Sequence, residues 1–159
     1  MGKEFDKAKE LDEKYVMHTF VRKPVEFVGG AGQWLFDEEG NEYLDFLSGI
    51  GVVSVGHCNS RVTAALEEQA NKLIHVSNYY YVQHRGEVAE RISKMLAGGS
   101  KATWQTFFAN SGAEANEGAI ELARLWGKKE LDGAYGIISA VKSFHGRTLA
   151  TLAASKRNL

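Results

Sequence analysis

Apolar residues recur at helical spacing in the opening stretch, where Phe5, Ala8, Leu11 and Tyr15 stand among Lys, Glu and Asp. That spacing predicts an amphipathic helix packed by one face and ended before Pro24. Residues 25–28, 33–36 and 42–46 then read as short strands. Glu38-Glu39-Gly40-Asn41 between the last two is turn chemistry, so the three predict a small antiparallel meander. After a glycine-punctuated stretch from 49 to 56, Asn59 or Ser60 can cap a helix carrying Val62, Leu66, Gln69 and Leu73. A further helix carries Val88, Ile92 and Met95.

From residue 105 the pattern changes. Strand 105–109, loop 110–112, helix 113–128, strand 135–141, loop 142–146 and helix 147–154 follow in order, a βαβα series. Gly136-Ile137-Ile138-Ser139-Ala140-Val141 is apolar almost throughout, which suits a parallel strand covered on both faces, so the predicted fold class is α/β. Ala115, Ala119, Leu122, Ala123 and Trp126 form the expected buried face of the first of these helices. Such a sheet ordinarily continues for several units, so a longer series is expected beyond Leu159.

The chain has 159 residues, 44% hydrophobic and 25% charged, ordinary for one globular domain. A chain of that length is expected to bury about 68 to 70% of its unfolded surface and to hold a sizeable core. Nineteen Lys and Arg against twenty Asp and Glu give a net charge of −1 with no basic block, which argues against nucleic acid as a partner. The charged start has no export signal, and Asp6 spoils a myristoylation motif after Gly2. No apolar run reaches membrane-spanning length. The lone Cys58, with no Cys-x-x-Cys pair and no His-Glu-x-x-His, predicts no disulfide and no metal, and a reducing, cytoplasmic setting.

Several glycine motifs are near misses. Gly30-Ala31-Gly32 and Gly49-Ile50-Gly51 lack the third glycine of a dinucleotide fingerprint, and His57-Cys58 follows Gly51 and Gly56 where a phosphate loop needs Lys and Ser or Thr. His57 and Cys58 point to opposite faces of an extended chain and are expected to pack. Tyr79-Tyr80-Tyr81 either walls a pocket or packs.

In open α/β sheets ligands bind beyond the carboxyl ends of the strands, where loops meet helix N-termini. Two loops qualify. At Asn110-Ser111-Gly112-Ala113, Gly112 lets a ligand approach the backbone and Ser111 adds a hydroxyl at the start of a helix suited to a phosphate. Ser111 can equally be a plain helix cap. At Ser143-Phe144-His145-Gly146-Arg147, Phe144 offers a flat apolar surface, His145 a polar neighbour and Arg147 a planar fork for a carboxylate. Taken singly these are a core aromatic, a satisfied loop histidine and a solvated charge. Their combination points to a site.

Phe107-Phe108-Ala109-Asn110-Ser111-Gly112-Ala113-Glu114-Ala115-Asn116-Glu117, with Ser143-Phe144-His145-Gly146-Arg147-Thr148, resembles the class III, fold type I, pyridoxal-phosphate-dependent aminotransferases. Trp34 to Asp37, Glu42 to Phe46, Gly49-Ile50-Gly51, Gly56-His57-Cys58 and His75 to Asn78 follow the same family's order. The resemblance implies pyridoxal 5'-phosphate as cofactor. Ser111, Gly112 and Ala113 would hold its phosphate, Phe144 would stack on its ring beside His145, and Arg147 would take the substrate α-carboxylate. It also implies amino-acid and 2-oxo-acid substrates and a homodimer. Residues 1–75 would belong to the small-domain region and 76–159 to the start of the large, mainly parallel, three-layer domain. The family's imine-forming lysine lies beyond residue 159, and neither Lys142 nor Lys156 sits in its motif, so residues 1–159 alone are expected to be inactive. Ala113-Glu114-Ala115 and His145 are closer to the acetylornithine-using group than to the ornithine-using group. Succinylornithine, ornithine, 4-aminobutyrate and lysine are alternative amino donors, and a non-catalytic phosphate-binding module is the alternative of another kind. Asn59 departs from the family's usual His-Pro, and Phe20 stands where tyrosine is common near the substrate.

Overall fold

The computed structural model describes residues 2–155, so Lys156 lies outside the described residues. Two units arise, the first ending at Tyr80 and the second beginning at Tyr81.

In the first unit the charged opening forms α1 (Lys3–Tyr15), with Phe5 as its buried residue. Its start is tied to the sheet where the Phe5 N–H donates to Glu38 Oε2 at 3.2 Å. The meander forms as the pattern predicts, with β1 (Phe27–Ala31), β2 (Trp34–Asp37) and β3 (Glu42–Leu44) antiparallel in that order. β1 begins two residues later than the apolar run, because the Val25 N–H is used locally on the Lys23 carbonyl at 2.8 Å. Gly30-Ala31-Gly32 thus belongs to a hairpin. The β2–β3 turn is built on Asp37, whose carboxylate accepts from the N–H groups of Glu39 and Asn41, the Asn41 side chain and the Tyr43 hydroxyl. β3 stops at Leu44 because Asp45 turns its carboxylate onto the N–H groups of Leu47 and Ser48 at 2.8 and 2.9 Å. A single turn follows, α2 (Ser48–Gly51), whose Gly49 and Ile50 have left-handed backbone with φ of 60° and 63°. α3 (Ser60–Lys72) is capped by Asn59, which accepts from the N–H groups of Arg61 and Val62.

The second unit holds α4 (Arg85–Ala97), α5 (Gly112–Glu130) and α6 (Leu149–Ala154), with α6 packed on α5. The helices of the βαβα series are present, but the ladder is not. Residues 105–109 and 135–141 form no hydrogen-bonded strand among the described residues. A parallel strand exists only where a neighbour exchanges backbone hydrogen bonds with it, and neither segment meets one. The expected buried face of α5 is also exposed, with Leu122 at 67% and Trp126 at 56%. Its inward positions are instead Ala113, Asn116, Glu117, Gly118, Ile120 and Gly127. Phe107 lies over Gly118 and the Ala134 carbonyl abuts Gly127.

The sizeable core predicted from length is absent: Phe5 is the one buried apolar side chain among the described residues. The solvent-accessible area is 14155 Å², whereas a compact monomer of this length exposes about 7,900 Å². Apolar stripes exist on the helices, but no second layer covers them. Among the described residues no helix is long and apolar enough to cross a membrane.

Candidate active site

Ser111 has extended backbone, φ −151° and ψ 163°, and turns the chain into α5. Its Oγ accepts from the Glu114 N–H at 3.2 Å and its carbonyl accepts from the Ala115 N–H at 3.0 Å. The Glu114 carboxylate reaches back to accept from the Asn110 N–H at 2.6 Å, one residue before the cap, and ties the loop to the first turn of α5. One orphan donor at this end, the Glu114 N–H, is satisfied by Ser111, while those of Gly112 and Ala113 have no protein partner among the described residues. A Cβ built at Gly112 would meet nothing within 4 Å. The two readings of Ser111 are therefore compatible, since capping uses an oxygen lone pair and leaves the hydroxyl proton to donate outward. Two N–H groups, one O–H and the positive end of a 19-residue helix face the same opening.

The second loop is fastened to that helix. Asn116 Nδ2, one turn into α5, donates to the His145 carbonyl at 2.8 Å, and the His145 N–H donates to Ser155 Oγ at 2.7 Å. Gly146 is buried with φ of +133°, and an ideal Cβ there would fall 2.7 Å from Ala113 Cβ and 2.6 Å from Thr151 Oγ1. Thr148 donates to the Glu117 carboxylate and lies 2.7 Å from the fully buried Thr151 hydroxyl, so Thr151 is the donor of that pair. Ser143 Oγ donates to the Ala140 carbonyl at 2.6 Å, which makes His145 Nε2 the donor in its 3.0 Å contact with Ser143 Oγ. Phe144 is 64% exposed and Arg147 is exposed. The structure thus brings Ala113 and Gly146 into contact and sets the two loops on one end of α5. Phe144 and Arg147 flank the gripped His145-Gly146 pair.

Other candidates disperse. His57 Nε2 pairs with Asp45 Oδ2 at 2.7 Å, and Cys58 is exposed. That contact, followed by the Ser48 and Leu47 N–H groups, holds the Asp45 carboxyl below the usual carboxylate range. Tyr79 at 93% exposure and Tyr81 at 107% neither pack nor wall a pocket among the described residues. In the first unit a cavity of about 680 Å³ lies between α1 and residues 18–27, with Phe5, Asp12, Phe20 and Arg22 in its lining. Asn116, Thr151, Ser155 and Asp45 escaped the sequence reading. The signal for the hydroxyls was present, since Thr148, Thr151 and Ser155 fall on one face of a helix otherwise carrying leucine and alanine.

A helix start with unpartnered N–H donors, fastened to a loop that carries an aromatic and an arginine, is an arrangement able to hold an anion. Residues 16–158 match the class-III aminotransferase family, and the chain belongs to it. The acetylornithine aminotransferase of Nitrosomonas europaea is 52% identical over 141 residues, covering 89% of this chain and 35% of that protein. The crystal structure of an aminotransferase from Bacillus anthracis matches with a TM-score of 0.85 at 29% identity, covering 98% of this chain and 35% of that one. An ornithine aminotransferase from Toxoplasma gondii, whose active site is partly occupied by PLP, matches at 0.82 with 30% identity, 96% of this chain and 35% of that one. The chain spans about a third of the length of the curated relatives it matches. The α/β class read from the sequence is that of the fold type I structures it superposes on.

Proposed function

We propose that this chain supplies the cofactor-phosphate and substrate-carboxylate subsites of a PLP-dependent aminotransferase that moves the amino group of N-acetylornithine to 2-oxoglutarate. The observation carrying this reading is the start of α5, with two unpartnered N–H groups, an available Ser111 proton and open space at Gly112, fastened to the loop bearing Phe144 and Arg147. These donors fit the phosphate of pyridoxal 5'-phosphate, and the exposed Phe144 ring fits a flat aromatic partner. When bound, the cofactor supplies an electron sink for the carbon that carries the amino group.

The residues of this chain act around that chemistry. Ser111, Gly112 and Ala113 bind and orient the phosphate end. Phe144 shields one face of the ring from water, and His145, its Nε2 proton engaged by Ser143, borders it. Arg147 fixes the α-carboxylate, which a fork of two parallel N–H donors orients as a lysine cannot. No residue of this chain is assigned the proton transfer, which the family's lysine performs. Residues 1–75 are proposed for the small-domain region and 76–159 for the first part of the large domain, in a cytoplasmic homodimer. Identity of 52% to an acetylornithine aminotransferase supports this choice of donor.

The test is protein produced from its complete gene, loaded with PLP and offered acetylornithine, succinylornithine, ornithine, 4-aminobutyrate and lysine with 2-oxoglutarate. The reading expects the highest kcat/KM with acetylornithine. Faster transfer from another donor would reassign the substrate. PLP uptake with no transfer from any donor would make this a binding module.

A further inference from the structure

We propose that Asn116 is a positioning residue which, with Ser155 and Thr151, fixes the substrate-binding loop to the phosphate-binding turn and thereby sets affinity for the substrate carboxylate rather than for the cofactor. This rests on the functional reading above. The His145 backbone is gripped at both of its polar groups, its carbonyl by Asn116 at 2.8 Å and its N–H by Ser155 at 2.7 Å. Ser155 is 5% exposed, Thr151 is fully buried, and Ser155 Oγ donates onward to the Thr151 carbonyl at 2.8 Å. The next residue, Gly146, is pressed against Ala113, the second residue of α5, closely enough that no Cβ fits.

The consequence is geometric. Phe144 stands one residue before the gripped pair and Arg147 one residue after it, so both leave the backbone at points anchored to α5. The phosphate donors are the first N–H groups of that same helix, and Asn116 stands about 6 Å further along its axis at 1.5 Å per residue. A rigid helix therefore measures the spacing between the phosphate subsite and the carboxylate subsite. A substrate bound beside the cofactor would have to fit the spacing between the two subsites, and the carboxylate subsite has the fewer donors. Slack in the loop is felt there first.

Asn116→Asp keeps the shape but replaces the donor with an acceptor facing the His145 carbonyl. In protein from its complete gene, that variant should raise KM for acetylornithine and 2-oxoglutarate roughly tenfold, the scale of leaving a half-buried acceptor without its donor. kcat should stay within about threefold and PLP affinity should fall by no more than that, because the phosphate donors at the start of α5 are untouched and only the Phe144 face of the ring loosens. Amide exchange should quicken across 143–148 and not across 111–116. Ser155→Ala removes the other grip and should give the same pattern if the first variant fails to fold. KM and PLP affinity worsening in parallel, unchanged exchange across 143–148, or lower kcat at constant KM with a lower Tm would each overturn the inference. A parent that transaminates while both variants keep its KM refutes the positioning role alone. A parent that never takes up PLP refutes the functional reading and this inference together.

Discussion

Single residues carry the sharpest consequences. Gly146 holds φ at +133°, a region nearly closed to side chains, and its missing Cβ lets Ala113 and Thr151 close in. Gly146→Ala should therefore cost about 1–3 kcal/mol from backbone strain alone and lower Tm accordingly. Arg147→Lys keeps the charge and loses the fork, so it should raise KM for the amino acid while PLP titration stays near that of the parent. Asp37 makes a pH prediction. The Asn41 side chain, then backbone N–H groups and Tyr43, hold its carboxyl below the ordinary range. A depressed carboxyl contributes stability that is complete above the unfolded pKa and is lost as pH falls through the lower folded value. Asp45 has the same sign through His57, Ser48 and Leu47. Asp37→Asn should be less stable than the parent at neutral pH, and the gap should close in acid. A gap that stays constant in denaturant titrations from neutral to acid pH would remove Asp37 from the pH dependence. Ser111, Gly112, Phe144 and Arg147 could be singled out from sequence because each brings an unusual chemical tool to a loop. Asn116 could not, because its role depends on a carbonyl 29 positions away that only the folded loop presents.

At the level of elements, whatever is decided locally was legible. The meander and the α1, α3, α4 and α5 helices follow from periodicity, turn residues and caps within a few positions. Asn59-Ser60 illustrates this, since the sequence departs from its family's usual pair and the structure shows Asn59 taking the cap. Asn59→Ala should cost about 1 kcal/mol of helix stability, visible as faster amide exchange in the first turn of α3. No change in exchange there would mean the cap is redundant. The segments 105–109 and 135–141 illustrate the opposite case. Their composition is that of buried parallel strands, yet strand pairing is a property of two segments, and no spacing rule within one can supply its neighbour. The buried face of α5 differs for the same reason: Leu122 and Trp126 are apolar but exposed, on a helix whose half-buried positions include Ala113, Asn116 and Ile120.

For the molecule as a whole, exposed area dominates. Apolar residues such as Ile138 at 100% and Phe107 at 72% exposure lie on unpaired extended segments, a template for association with other chains. Residues 1–159 expressed alone should therefore associate at micromolar concentration and should not transaminate, as read by light scattering and an amino-transfer assay. A soluble, active monomer would contradict both expectations. The central claim is that the start of α5 binds the cofactor phosphate, and its most direct measurement is a PLP titration of Gly112→Val beside the parent, both produced from the complete gene. A Cβ at Gly112 has open space, with no atom beyond its own turn within 4 Å, so the fold should tolerate valine while the approach of a phosphate is obstructed. The parent should take up PLP stoichiometrically and the variant markedly more weakly, at unchanged Tm. Equal affinity in the two proteins would contradict the claim.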